Sequence, residues 1–173
     1  MLQTTPVVER TAEWRAQSSV EPIALSDVES LEVHSIIAVW HKWRGLHAIP
    51  AHDRMDLRDF GQSLENVSIV QVEDNGADYA FVAIGAAHVR AYGTNFTGRH
   101  LRHVAAVSPK FGKLLKATYD LVRTTGRPYA FRGIVGADAV ESRFSAFETC
   151  YLPLGSNASS VSHILNAASY DLK

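Results

Sequence analysis

The stretch Ala83–Leu101, "AIGAAHVRAYGTNFTGRHL", decides how the chain is read. It opens as the end of an apolar strand, passes through a short helical piece, breaks at Gly93, turns through Thr97-Gly98-Arg99 and restarts on Leu101. Three histidines crowd it: His88, His100 and His103. Three readings follow from these residues: a metal or haem site, an anion-binding loop, or the connecting piece between a sheet and a helix.

Upstream, "NVSIVQVE" and "YAFVAIG" read as two strands, joined through "DNGAD", whose Asn75-Gly76 pair is a strong hairpin signal. Downstream a long helix is expected, with Ser108 as N-cap, Pro109 in its first turn, and Gly126 and Pro128 ending it. Phe111, Leu114, Leu115, Thr118 and Val122 are placed on its inner face; Lys110, Lys113, Lys116, Asp120 and Arg123 are placed outside. Three strands follow, "RPYAFRGIVG", "RFSAFETCYLPL" and "VSHILNAASY", the last two separated by the turn "GSNASS". Before the first strand, Ser26 with Glu29 spells a capping box, so a helix is expected from Asp27 to Gly45. Val33, Ile36, Ile37, Trp40 and Trp43 form one stripe on it, wide enough to need the sheet or a second subunit as cover. Asp56 caps a further short helix over Leu57–Leu64.

The sequence therefore predicts an α+β fold: a five-stranded antiparallel sheet with helices on one face and an N-terminal helical extension. Residues 1–25 are read as a loose arm, 26–66 as N-terminal helices and 67–173 as the core.

Composition narrows the function classes. The 173 residues are 46% hydrophobic and 20% charged, which is globular material. No apolar run approaches the ~20 residues of a membrane helix, and the N-terminus lacks a basic start with an apolar block, so a cytoplasmic chain is expected. Cys150 is the single cysteine, which rules out an internal disulfide. Between Ala86 and Arg127 eight Lys/Arg face one acid, Asp120, a net of +7 that leaves −8 for the remainder. Arg99, Arg102, Lys110, Lys113 and Lys116 are the candidate basic face toward an acidic partner, with a solvated surface as the plain alternative. The whole chain is not basic and lacks aromatic-interleaved basic motifs, which argues against nucleic acid.

The order of elements resembles the PAS domain, and within it a bacterial family of small single-domain PAS proteins. The likeness spans about Leu31 to Tyr170 and is carried by "VWHKWRGLHAIPAHDRMD", "SLENVSIVQVE", "YGTNFTGRHL" and "CYLPL" in that order. Leu57 stands where the family usually has proline, and "GSNASS" replaces its acidic-glycine turn. The resemblance implies a non-enzymatic sensory or regulatory protein that acts through protein contacts, with a signalling partner to be identified. It also implies homodimers formed through the helix before the first strand, here Val33, Ile36, Ile37, Trp40 and Trp43. A pocket between the sheet and the short helices is implied as well, with Ile84, Tyr92, Phe96, Leu115, Tyr119, Phe131, Phe147 and Ile164 as its candidate lining. A small apolar or amphipathic ligand there, a ligand-free adaptor, and a haem sensor using His88, His100 or His103 are the alternatives.

No cofactor and no metal are expected. Flavin photoadduct chemistry needs a cysteine where this chain has "TGRHLRHV". His100 and His103 sit at helical spacing for a metal, yet their neighbours are arginines rather than further ligands. Cys150 reads as a buried inert thiol. Thr97-Gly98-Arg99 reads as an anion cradle or as a plain turn. Glu148, the only acid in the middle of an apolar strand, is a candidate base if its pKa is raised, and otherwise a structural carboxylate.

Overall fold

The structure is a computed structural model that describes residues 18–135, 142–157 and 160–173. Six strands form one antiparallel sheet: β1 (Ser19–Ile23), β2 (Val67–Glu73), β3 (Asp78–Ile84), β4 (Tyr129–Ile134), β5 (Phe144–Asn157) and β6 (Ser160–Leu172). Their order is β1-β4-β5-β6-β2-β3. Among the described residues four α-helices accompany them: α1 (Leu31–Arg44), α2 (Ala86–Tyr92), α3 (Leu101–Val107) and α4 (Pro109–Thr125). The α+β class is as expected; the strand count is six, not five.

The additional strand is β1, inside the stretch expected to be a loose arm. It pairs with β4 from Ser19↔Ile134 to Ile23↔Ala130. Four of its five side chains are exposed, so its sequence, "SVEPI", carries no alternation, and Pro22 is tolerated because the strand lies at the sheet edge. The first part of the expected arm, 1–17, lies outside the described residues, as do positions 158–159 of the expected "GSNASS" turn.

α1 starts later than the Ser26/Glu29 pattern predicts. Its N-cap is Ser30, whose Oγ accepts the Val33 N–H at 3.3 Å. Glu148 fixes this start from the sheet: its Oε2 accepts the N–H groups of Glu29 and Ser30 at 2.9 and 2.8 Å. Ser26 instead bonds its neighbour Asp27 inside a 3-10 turn, Leu25–Asp27.

The stripe Val33, Ile36, Ile37, Trp40 and Trp43 exists as read, and each member is at most 6% exposed. It packs with Ile69, Cys150, Leu152, Leu154, Leu165 and Ala167 of the sheet. Trp40 Nε1 donates to Pro153 O at 2.9 Å and Trp43 Nε1 to Asp59 Oδ2 at 2.8 Å. Burial of each such side chain contributes about 1.5–3 kcal/mol, so the stripe is a main stabiliser of the fold. This corrects the expectation that these five residues form a dimer interface, because the chain's own sheet covers them.

Helices therefore flank both faces of the sheet, not one. On the face opposite α1, helices α3 and α4 cover Val70, Tyr79, Phe81, Tyr151 and Ile164 with Leu101, Val104, Leu115, Tyr119 and Val122, and α2 packs against β6 beside them. α4 has its expected limits: Pro109 opens it and Gly126, at φ 63, closes it. Leu114, expected inside, is 55% exposed. The buried arc runs through Gly112, Leu115, Thr118, Tyr119 and Val122, and at about 100° per residue Leu114 falls outside it. Among the described residues no helix is long and apolar enough to cross a membrane.

Candidate functional site

The interior between α2–α4 and the sheet holds the chain's one buried histidine with bonds to a phenol. Gly85 sets α2 close to the start of β2: its N–H donates to Val67 O at 2.7 Å, and a Cβ there would lie 2.2 Å from Glu65 O. One turn on, His88 is fully buried. Its Nε2 lies 3.0 Å from Asn66 O and its Nδ1 3.0 Å from Tyr170 Oη, which is 3.0 Å from Tyr92 Oη. Asn66 is itself fixed by its Nδ2 donating to Ala168 O at 2.9 Å.

Hydrogen-bond chemistry orders the protons in this chain of groups. A carbonyl only accepts, so Nε2 of His88 carries the proton. Burial, partly offset by the Asn66 carbonyl, takes the His88 pKa down to about 4, so the ring is neutral near pH 7 and Nδ1 is an acceptor. Tyr170 therefore donates to His88, and Tyr92 donates to Tyr170. Both imidazole nitrogens are engaged within the chain, so the haem reading of His88 requires one of these bonds to break.

Seven of the eight candidate pocket residues fall in this region. Ile84, Phe96, Leu115, Tyr119, Phe131 and Ile164 belong to its apolar cluster. Tyr92 packs on Phe111, Tyr170 and Phe96 at ring separations of 5.2, 6.0 and 6.1 Å. Phe147 lies over Gly133 and meets Phe144 edge-on. The face left open by the sequence is thus assigned: Phe131, Tyr151 and Ile164 turn toward α2–α4, while Ala130, Cys150, Leu152 and Leu165 turn toward α1. Ile84 also borders a surface groove of about 520 Å³ beside Leu57 and Leu64.

Sequence reasoning missed Tyr151 and Tyr170 as members of the site. Tyr92, Tyr119, Tyr151 and Tyr170 are each raised in pKa by burial first, and Tyr119, Tyr151 and Tyr170 additionally by the nearby phenols. Their hydroxyls are therefore neutral hydrogen-bonding groups gathered in an aromatic interior. A tyrosine on each of β5 and β6 was the available signal, but only the register shows which face they take.

The other candidates resolve into structural roles. The Gly98 N–H donates to Phe81 O and the Phe81 N–H to Arg99 O, both at 2.8 Å, so the Thr97-Gly98-Arg99 turn closes the β3 edge. The Thr97 N–H goes to Asn95 Oδ1 and the Arg99 N–H to Phe96 O, which leaves none of these three amides for an anion and corrects the cradle reading. His100 Nε2 lies 2.9 Å from Glu73, and the His100 N–H donates to His103 Nδ1 at 3.2 Å. Among the described residues no group of three His, Cys, Asp or Glu is placed to hold a metal.

Glu148 is not a base with a raised pKa. Burial would raise it, but the Ser30 N–H, Arg132 and the Glu29 N–H outweigh that and hold it low. Arg132 Nη2 and Nε lie 2.6 and 2.9 Å from its Oε1. Cys150 is buried, and burial pushes its thiol up to about 12. Of the basic face, Arg99, Arg102, Lys110 and Lys113 are exposed. Lys116 is half-buried and donates to Gly76 O and Asp120, so it serves the β2–β3 turn rather than open solvent.

No family model, no curated protein sequence and no solved structure matches this chain.

Proposed function

We propose that this protein is a PAS-type regulatory module that acts through contacts with other proteins. The observation that carries the reading is the strand order β4-β5-β6-β2-β3, with α2, α3 and α4 inserted between β3 and β4 and laid across one face. The chain order on which the sequence resemblance rests, a hairpin, short helices, a long helix and three further strands, supports the same reading. β1 extends it on one edge and α1 covers its other face. A non-enzymatic role fits the candidate groups: Glu148 is neutralised by Arg132, Cys150 is protonated and sealed in, and His88 is engaged at both nitrogens. A reducing, cytoplasmic setting fits the lone buried thiol.

The tyrosine and histidine interior supports a second element, tuning by a small molecule. Aromatic rings occupy the space under α2–α4, so a ligand enters by displacing Tyr92, Phe96 or Phe111. The available polar partners are neutral phenols and a neutral imidazole, which suit an uncharged amphipathic molecule and disfavour an ion. The ligand-free adaptor is the same module with those rings left in place.

Proximity labelling in growing cells tests the regulatory reading. A biotin ligase fused to the C-terminus should enrich the same protein or proteins in every replicate. Enrichment no greater than with the free ligase overturns it.

A further inference from the structure

A second concave feature lies away from the aromatic interior, between α3, the first turns of α4 and the β2–β3 turn. It has a volume of about 320 Å³. Its floor is apolar, from Leu101, Ala105, Pro109 and Gly112. Gly112 makes it possible: a Cβ there would lie 2.5 Å from Ala105, so only glycine lets α4 approach α3 this closely. Its rim carries three cations and one carboxylate, Asp78, and the three cations differ in state. Lys116 is held by Gly76 O and Asp120 at 2.9 and 2.7 Å. Arg102 Nη1 sits 2.7 Å from Asp78 Oδ2, so the rim already grips one carboxylate. Lys113 is exposed and has no ion pair among the described residues.

We propose that this groove receives a short acidic segment of a partner protein, with one apolar side chain on the Leu101–Gly112 floor and flanking carboxylates on Lys113 and Arg102. Charge selects that occupant. The surrounding segment carries +7 between Ala86 and Arg127, and Lys110 and Arg99 stand exposed on it. Two copies meeting through this face would set like charges against each other, which disfavours self-pairing. A lipid surface would meet the cations but leave a concave apolar floor unfilled. The biological meaning rests on the regulatory reading above; the chemistry of the groove is tested separately from it.

The probe is a fluorescein-labelled synthetic peptide of acidic residues around a central leucine, followed by fluorescence anisotropy. Lys113→Glu replaces an attraction with a repulsion and should weaken binding by about tenfold or more. Ala77→Trp should weaken it similarly by filling the groove mouth, since Ala77 is exposed, lines the groove and has right-handed helical backbone angles that accept tryptophan. A leucine-to-serine peptide should also bind about tenfold more weakly. Circular dichroism melts matching the parent protein establish that both variants fold. Equal binding by parent and variants overturns the proposal. So does equal binding of the serine peptide, which would reduce the surface to diffuse charge. Lys113-dependent uptake onto phosphatidylglycerol vesicles without peptide binding overturns it in favour of a membrane surface. If proximity labelling finds partners that both variants retain, the groove fails and the regulatory reading stands. If the peptide binds as described but labelling finds no partner, the groove stands and the regulatory reading fails.

Discussion

Removing the Tyr170 hydroxyl tests the buried proton order at its centre. In Tyr170→Phe the ring remains, so the aromatic packing against Tyr92 and Phe144 is kept. Two bonds of 3.0 Å are lost together. His88 Nδ1 becomes a buried acceptor without a donor, and the Tyr92 proton loses its acceptor. Each orphaned buried group costs about 1–3 kcal/mol; allowing for relaxation, the sum is about 2–4 kcal/mol. For a chain of this size that lowers the melting temperature by about 5–15 °C. Tyr92→Phe is milder, about 1 kcal/mol, because Tyr170 keeps its acceptor on His88 and only its lone pair goes unused. Urea denaturation monitored by circular dichroism measures both. Loss of less than about 0.5 kcal/mol in Tyr170→Phe would refute the assigned network, since surface changes reach that size. A larger loss in Tyr92→Phe than in Tyr170→Phe would refute the direction of donation.

Stability should also fall with acid in a defined window. His88 has its ordinary pKa of 6.5 when unfolded and about 4 when folded, so the unfolded chain takes the proton first. The neutral ring's contribution is complete above about pH 6.5 and is lost as pH falls through about 4, on the order of 3 kcal/mol in all. His88→Gln should flatten that part of the denaturation-versus-pH curve; an unchanged slope contradicts it. His163, also taken down to about 4 by burial and by the stacked His52, supplies the slope that remains. Glu148→Gln should cost about 1–3 kcal/mol by weakening the Arg132 pair and the anchor of α1, and a melt equal to the parent's contradicts that role. Cys150 should not react with a thiol reagent at pH 8 while folded and should react fully in denaturant; rapid labelling of the native protein contradicts its burial. Trp40→Ala should destabilise the fold by about 3–5 kcal/mol, and a folded variant changed only in oligomeric state would restore the interface reading.

Local signals were legible where one short segment contains the whole cause. Asn75-Gly76 marks the hairpin, and Asp74, Asn75 and Gly76 do take positive φ. Pro109 and Gly126 bracket α4 because each acts on its own backbone. The stripe of α1 was equally plain, yet nothing in it says whether a sheet or a second chain covers it. Where the cause is distant, the reading failed. Ser26 and Glu29 spell a cap, but Glu148, more than a hundred residues away, takes the amides that start α1 at Ser30 instead. β1 is held by backbone pairing at an edge, which imposes no hydrophobic pattern. His88 looked like His100 and His103 because its partner, Tyr170, is 82 residues downstream.

The functional conclusion rests on β6 lying between β5 and β2, and cross-strand nuclear Overhauser contacts test that most directly. Isotope-labelled protein should give backbone contacts from Leu165 to both Ile69 and Leu152, and from Ala167 to both Val67 and Cys150. Those contacts would establish the strand order from which the PAS-type reading is drawn. Contacts placing β2 beside β4, with β6 at an edge, would contradict it and remove the ground for the proposed function.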